Sequence, residues 1–398
     1  MNKVQGCPVS RNRYAENSEI YGHYALLDAE RDAARFHFND TNKNGFWMLT
    51  RYQDVLEGFQ KHQEWTTESR SALYPDTTLR LLPQDLNGDE HVKLRKVINP
   101  FFAPAAVKRM EELAHARAVE LIEELRPQGK CNFVAEFAIR YPTDIFLTLL
   151  GLPVSDGEFF VPWSEDMLNA MLAGYGPDVD EPKNKILAYF DEAVNERRKN
   201  PRDPKEDLLT RLVQAQIDDE DISHDDILLI CMSLMLAGLD TTRSALGYIY
   251  AHLAENVADR ELLVEDPTLC RSAVEEFIRM YPLVIQAGRR VQVDTEFHGL
   301  ELSERDVVWL GVGSANRDPE KFPDPDKFIL GRQGLNQHLA FGAGPHRCIG
   351  MHLARLELAV VLEEWHKRIP EYRLAEGAVL TERGAQLTLT SLPLEWDV

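Results

Sequence analysis

Residues 341–350 read FGAGPHRCIG and come directly before a long apolar segment with helical periodicity, residues 350–369. Three glycines and a proline in ten residues predict a tight, irregular backbone. Cys348 lies near the start of the predicted helix, where the helix dipole and free backbone N–H groups lower the pKa of a thiol. Because the thiolate is the nucleophile and the metal ligand, the segment predicts a functional cysteine.

Three roles for Cys348 follow from its surroundings. A buried, apolar thiol is the simplest role, and it is the one expected for Cys131, Cys231 and Cys270. A nucleophile needs a base, and His346 is close, but no third orienting group is evident. A metal ligand is also consistent, because Gly344 and Gly350 leave room for a flat, bulky group beside the backbone. The glycine spacing favours a functional cysteine without deciding between nucleophile and ligand.

A second unusual step, AGLDTT, spans residues 237–242 inside an otherwise apolar helical segment. Gly238 costs a buried helix about 1 kcal/mol relative to alanine, and a buried Asp240 needs a partner. Thr241 can bond back to a carbonyl, and a local widening here would open a space for a small molecule. The structural alternative is a simple kink with Asp240 paired to Arg243.

A charged pair, Glu276 and Arg279, is spaced three residues apart on a predicted helix. If the pair is exposed, its contribution to stability is about 0–1 kcal/mol. The sequence alone does not distinguish an exposed pair from a buried one.

Several cations are placed to converge. His91 and Arg95 lie four residues apart on one predicted helix face, which is either a binding face or an exposed polar one. Arg289 and Arg290 lie in an extended segment, where neighbouring side chains point in opposite directions.

Composition restricts the class of protein. The chain has 398 residues and a net charge of −21, which disfavours binding to nucleic acid or to an anionic membrane surface. Five cysteines without CxxC spacing disfavour a zinc site or a disulfide framework. The polar N-terminus shows no signal peptide, and the apolar stretch Ile227 to Leu239 is too short for a membrane anchor. We therefore expect a cytoplasmic protein in which residues 227–239 form a buried helix.

The order of elements predicts one mainly helical domain with small β-sheets, residues 1–398. Helices are expected at 89–103, 107–125, 133–150, 184–198, from Ser223 through the AGLDTT step, at 267–280 and at 350–369. Strands are expected at 45–51, in a hairpin within 291–312 that turns at His298-Gly299, and at 385–392. Residues 315–337 are expected to be irregular.

The pattern Phe341-x-x-Gly344-x-His346-x-Cys348-x-Gly350, together with the AGLDTT step and the Glu-x-x-Arg pair, resembles the cytochrome P450 family. The resemblance covers nearly the whole chain. It implies that haem b (iron protoporphyrin IX) lies between the central long helix and the last long helix, with Cys348 as the proximal thiolate. His346, His91, Arg95 and Arg289 would bind the propionates. Phe341 would pack beside the sulfur, and Gly238, Gly344 and Gly350 would line the cofactor.

The same resemblance implies an oxidoreductase. Thr241 would hydrogen-bond the oxygen under activation, and Asp240 would connect it to protons from solvent. Glu276 and Arg279 would be buried and anchor residues 314–328. The family often has an arginine where this chain has Lys327, which predicts an altered network there.

The implied reaction is monooxygenation of an apolar small molecule with O₂ and two electrons. No flavin, nicotinamide or iron–sulfur motif is seen, so a ferredoxin or flavodoxin with its reductase would supply the electrons to a monomer. The pocket would involve the loop 70–84, residues 163–175, the tail near Gln386 and Leu387, and an apolar set of side chains: Leu236, Ala237, Leu283, Val284, Ile285 and Leu387. The alternatives are a haem-thiolate sensor without turnover and a Cys-His hydrolase without haem.

Overall fold

The computed structural model describes residues 9–10, 14, 16–41, 44–69, 71–172, 177–384 and 386–398. In these ranges the helices are α1 Gly22–Ala33, α2 Tyr52–Gln60, α3 Gly88–Phe102, α4 Pro104–Arg109, α5 Glu111–Leu125, α6 Arg140–Leu149, α7 Gly157–Leu172, α8 Asp180–Lys199, α9 Leu208–Gln214, α10 His224–Glu255, α11 Val257–Glu265, α12 Cys270–Met280, α13 Val312–Ala315 and α14 Met351–Arg368.

Short strands accompany the helices in the same ranges. They are β1 Val9–Ser10, β2 Ser18–Glu19, β3 Phe36–Asn39, β4 Phe46–Leu49, β5 Trp65–Thr66, β6 Lys130–Asn132, β7 Gln216–Ile217, β8 Glu220–Asp221, β9 Ala287–Val291, β10 Thr295–Phe297, β11 Leu300–Leu302, β12 Val307–Leu310, β13 Arg373–Leu374, β14 Thr381–Arg383, β15 Thr388–Leu389 and β16 Pro393–Glu395. The largest sheet has the order β1-β3-β4-β12-β9-β5. Its β1–β3 and β4–β12 pairs are parallel and the others are antiparallel. The mainly helical class with small sheets is therefore confirmed.

Helix α10 passes through the centre of the protein. The Ser223 hydroxyl caps its start by accepting the N–H of Asp226 at 3.1 Å, as predicted. Among the described helices it is the one long and apolar enough to cross a membrane, yet 78% of its apolar window is buried inside the protein. The expected buried core helix is confirmed.

Two hydrophobic clusters meet along α10. Residues 227–239 belong to one cluster, and residues 246–254 belong to the other. The loop before α14 lies at the same junction, because Leu353 packs against both clusters while Ile349 and Phe341 each pack against one. The AGLDTT step and the Cys348 loop therefore both border the space between two cores.

Three predicted segments differ in detail. Residues 107–125 form two helices, because the Met110 N–H donates to Val107 O, a tight i−3 contact that ends α4. Residues 134–138 form a wider π-turn before α6, with the Ile139 N–H bonded to Val134 O. Of residues 385–392, only Thr388–Leu389 form a strand, and Ala385 lies outside the described residues.

The AGLDTT step does not end the helix, because α10 is helical without interruption from His224 to Glu255. Thr241 Oγ1 donates to Ala237 O at 2.7 Å, and Asp240 is paired, so neither polar side chain unwinds the helix. The small side chains alone leave space beside the helix.

Candidate active site

The loop that carries Cys348 is fixed by backbone contacts. The Cys348 N–H donates to Phe341 O at 2.9 Å, and the Arg347 N–H donates to Gly344 O at 3.1 Å. Gly344 has φ +70°, and a Cβ there would lie 3.0 Å from Phe59 O, so a side chain is excluded twice over. A Cβ at Gly350 would meet nothing within 4 Å. The loop is therefore packed against Phe59 at Gly344 and faces open space at Gly350.

The ring of Phe341 lies under a cation from α14. The Arg355 guanidinium is 4.6 Å from the ring centroid and donates to Glu275 at 2.9 Å. Burial raises the pKa of Glu275, but hydrogen bonds from His338 and Arg355 outweigh it and lower the pKa to about 2. This ion pair holds Phe341, and so the carbonyl that accepts from Cys348, against α14.

Cys348 is exposed, although neighbouring protein atoms desolvate its thiol. Burial raises the pKa of the thiol, while the Gly350 N–H and the charges of Arg95, Arg355 and Arg347 lower it by less. The expectation that the helix start alone lowers this pKa is therefore wrong. A bound cation would supply the missing stabilisation of the thiolate.

His91, His346 and Arg289 form a cluster of cation-forming side chains. The two imidazole rings are 4.0 Å apart between centroids, and Arg289 is 4% exposed with its guanidinium 5.3 Å from the Phe59 ring. Burial lowers the pKa of Arg289 to about 10, and burial with Arg95 nearby lowers that of His91 to about 4. Burial lowers the pKa of His346 to about 3, and the nearby side chains of His91, Arg289, Arg95 and His62 lower it further in the same direction.

No anion faces this cluster among the described residues. His91 Nε2 and Arg289 Nε are buried without a hydrogen-bond partner, and the one hydrogen bond found for Arg289 as a donor goes to Gly288 O. Arg95 donates to Asn99 and to Arg347 O. Two neutral imidazoles and two guanidiniums with spare donors fit an acidic group that enters from outside the chain.

Arg290 points to the opposite face of its strand, as the alternation predicts. It donates to Ser69 Oγ at 2.8 Å and to Asp76 at 2.9 Å. This contact holds the segment after β5 and leaves the cluster to Arg289.

The chemistry of the donors fits haem. Among the described residues, no group of three or more His, Cys, Asp or Glu side chains could hold a bare metal ion. A lone cysteine can bind a metal that brings its other ligands with it. The same residues show no hydrogen bond between Cys348 and His346, so a Cys-His dyad is not formed there.

A stripe of small side chains on α10 is accessible although the neighbouring positions of the helix are buried. Ala237 is exposed, and Gly238, Thr241 and Ala245 are half-buried, while Leu236 and Leu239 are buried. Residues spaced by four share one helix face, so Ala237, Thr241 and Ala245 form one accessible face of α10. The Thr241 side chain therefore lies on this face.

Asp240 lies beside this face and is 2% exposed. Its Oδ1 accepts from Arg243, and its Oδ2 accepts from Gln386 Nε2 at 2.6 Å. Arg243 also donates to Glu165 of α7 at 3.0 Å. The pairing with Arg243 that the structural alternative expected is present.

Glu276 and Arg279 are both 0% exposed and are joined by two hydrogen bonds, of 2.9 and 2.8 Å. Arg279 also donates to the carbonyls of Asn316 and Pro325, within the irregular segment. Arg332 donates to Glu276 at 2.9 Å. The three-residue network expected to be altered at Lys327 is thus complete, because Arg332 supplies the second guanidinium from a position five residues later.

The predicted pocket residues divide into two groups. Leu236, Ile285 and Leu387 are buried, whereas Ala237 and Val284 are exposed and Leu283 is half-buried. The Leu387 N–H donates to Leu283 O at 2.9 Å, which joins the two pocket segments. Arg70 and residues 173–175, also predicted to border the pocket, lie outside the described residues.

Two site residues, Arg332 and Glu357, were not found from the sequence. Arg332 carries no local signal, because its partner is distant in sequence, and the contact of Gln386 with Asp240 was not predicted for the same reason. Glu357 is 3% exposed on α14, and burial raises its pKa to about 8, although a hydrogen bond with Thr242 opposes this. An acid within the apolar run LELAVVLEEW was the signal for Glu357.

Comparison with known proteins gives consistent matches. The cytochrome P450 family model matches residues 154–265 and 263–365. A probable cytochrome P450 127A1 of Sinorhizobium fredii is 34% identical over 90% of this chain and 85% of its own length. A steroid C26-monooxygenase of Mycobacterium tuberculosis is 31% identical over 89% of this chain and 95% of its own. The crystal structure of CYP101J2 superposes with a TM-score of 0.89 at 28% identity, covering 100% and 99% of the two chains.

Proposed function

The chain belongs to the cytochrome P450 family, and we propose that haem b is its cofactor, held by Cys348 and by the cluster of His91, Arg95, Arg289 and His346. The protein is an oxidoreductase, a haem-thiolate monooxygenase that oxidises an apolar small molecule with O₂ and two electrons from a redox partner. The observation that carries the cofactor assignment is the buried cluster without an anion, placed beside an open thiol.

When bound, haem supplies oxygen binding and activation, and the thiolate donates electron density to its iron. The residues of the chain do the rest. Phe341 O and the Gly350 N–H fix the Cys348 loop. Thr241 presents a hydroxyl on the accessible face of α10, and Asp240 holds a carboxylate beside it, so that together they can deliver protons to the reacting oxygen.

Replacing Arg289 with methionine is expected to weaken haem binding. A buried hydrogen bond to a charged group contributes about 1.5–3 kcal/mol, so haem affinity should fall about 10- to 100-fold in a Soret titration of the apoprotein. Arg290→Met is the matched control, because Arg290 contacts Ser69 and Asp76 instead. Equal losses in both variants would count against the propionate role. In the wild-type protein, reduction and CO must give the red-shifted Soret band of a thiolate-ligated haem, and its absence from haem-replete protein rejects the cofactor proposal.

Replacing Thr241 with alanine is expected to uncouple electron use from product formation. The side chain that positions a proton on the accessible face of α10 is lost, and general acid–base catalysis is worth about 10²–10⁴-fold. Product per electron should fall and hydrogen peroxide should accumulate, measured with any substrate that wild-type protein converts. Thr241→Ser retains the hydroxyl and should stay largely coupled. Unchanged coupling in the alanine variant would remove Thr241 from the mechanism.

We further propose a ferredoxin or a flavodoxin, with its reductase, as electron donor to a cytoplasmic, single-domain monomer. Support for the docking face comes from Lys96, Lys108, Arg109 and Arg347, which are exposed on α3, α4 and the Cys348 loop. Lys93, at the edge of this group, is paired with Asp218. A local basic surface in a chain of net charge −21 would steer an acidic partner to the thiolate side.

A further inference from the structure

Glu382 of β14 joins three distant parts of the chain in the interior. Its side chain is 0% exposed and accepts hydrogen bonds from Ser18 Oγ at 3.0 Å and from His23 Nδ1 at 2.6 Å. The hydroxyl of Tyr248, on α10, donates to the other carboxylate oxygen. Burial raises the pKa of Glu382, but hydrogen bonds from His23 and Tyr248 outweigh it and lower the pKa. The N-terminal segment, the last hairpin and the central helix therefore meet at one buried carboxylate.

The same carboxylate caps the start of α1. This helix follows Tyr21, which has φ +69° and whose side chain is not one of the usual N-caps. The backbone N–H groups of Tyr21 and His23 donate instead to Glu382, at 3.0 and 3.1 Å. A negative charge is favourable there, because the free N–H groups form the positive end of the helix dipole. Glu382 thus joins α1 to β14 across 359 positions of sequence.

The hairpin of β14 and β15 lies along one side of α10. Glu382 contacts Tyr248, and Gln386, in the turn between the strands, donates to Asp240 at 2.6 Å. Between these contacts, a Cβ at Gly247 would lie 3.6 Å from a β15 side chain. Asp240 and Tyr248 are eight positions apart, so they share one side of the helix and are separated by about 12 Å along it. The chain from Glu382 to Gln386 spans at most about 13 Å, so the hairpin is held to α10 by a hydrogen bond at each end.

We propose that Glu382 is a positioning residue for the reaction: it fixes the last hairpin along α10, and the hairpin in turn holds the Gln386 amide against Asp240. A carboxylate that only accepts hydrogen bonds is oriented by the donors that face it, which here are Arg243 and Gln386. Arg243 belongs to α10 itself, whereas Gln386 is placed by the hairpin. The inference rests on the proposed function, because it requires that Asp240 deliver protons.

Hydrogen exchange of the haem-loaded, full-length protein tests the positioning directly. In Glu382→Gln, an NH₂ group faces donors that the carboxylate accepted, so the hairpin should open more often. The backbone amides of β14, β15 and their turn should exchange at least about 10-fold faster, the factor expected when one hydrogen bond to a charged group is lost. The Leu387 N–H, which donates to Leu283 O at 2.9 Å, reports on the turn itself.

Turnover is then measured in two backgrounds. Product formation per haem should fall about 10- to 100-fold in Glu382→Gln, because a displacement of about 1 Å in a catalytic group costs up to about 10²-fold. In an Asp240→Asn background, the same substitution should change the remaining rate by less than about 2-fold. The residue through which Glu382 acts is then already absent. A role in stability alone would lower the rate by the same factor in both backgrounds.

Asp207→Asn is the matched control. This carboxylate is 3% exposed, caps α9 and pairs with Arg197, so its loss should leave hairpin exchange and turnover per haem at wild-type levels. Tyr248→Phe replaces Glu382→Gln if the latter fails to bind haem. Every protein is first checked with CO, and a missing red-shifted band in wild type rejects the proposed function. A normal band with unchanged hairpin exchange, unchanged turnover, or the same factor in both backgrounds overturns the role of Glu382 alone.

Discussion

Cys348→Ser is expected to abolish monooxygenase turnover and the red-shifted CO band together. A serine hydroxyl is not ionised beside the iron at neutral pH and cannot donate electron density as a thiolate does. Turnover should fall to background, while the fold persists because the Cys348 N–H to Phe341 O contact involves only the backbone. The measurement is the spectrum of the reduced CO complex alongside product formation.

Cys270→Ala is the matched control for this change. It removes a buried thiol from α12, outside the Cys348 loop, so the band and the turnover should remain at wild-type levels per haem. A Cys348→Ser protein that retained the red-shifted band would show that another residue ligates the iron.

Glu276→Ala is expected to produce the largest loss of stability. It leaves Arg279 and Arg332 buried without their shared carboxylate, and breaking a buried ion pair on one side costs about 3–5 kcal/mol. The free energy of unfolding of the haem-loaded protein, followed by circular dichroism, should fall by that amount. Haem retention should fall with it, because residues 316–332 precede the Cys348 loop and are held by the same network.

Lys327→Ala serves as the comparison for Glu276→Ala. Lys327 is 70% exposed and pairs with exposed Asp324, so its loss should change stability by less than about 1 kcal/mol. If both variants lost the same amount of stability, the buried network would not be the anchor described above.

Local chemistry made the site largely predictable from the sequence. Glycine spacing around Cys348 and the polar AGLDTT step inside an apolar helix are both contained within ten residues. The element types of α3, α10, α12 and α14 and the hairpin at His298-Gly299 followed from periodicity and turn residues. Signals of this kind need no knowledge of distant contacts.

Contacts between distant residues were not predictable in the same way. Arg332 contacts Glu276 across 56 positions of sequence, and Gln386 contacts Asp240 across 146. The hydrophobic periodicity of the sequence predicts neither contact. The pKa of the Cys348 thiol was also misjudged, because desolvation raises it by more than the Gly350 N–H and the nearby arginines lower it. The break at Met110 depends on one i−3 contact that propensity does not resolve.

The Glu276 network also has a consequence for building chimeras between relatives. The Glu276 carboxylate accepts hydrogen bonds from Arg279, Arg332 and the Ile329 N–H. Arg279 in turn donates to the carbonyls of Asn316 and Pro325. Residues 316–334 contain no helix or strand of their own. Their path therefore depends on contacts with Glu276 and Arg279 and on Arg332 within the segment. A crossover point between residues 280 and 332 would take Glu276 and Arg279 from one relative and Arg332 from another. In a recombination library, residues 276–332 should therefore be inherited as one indivisible block.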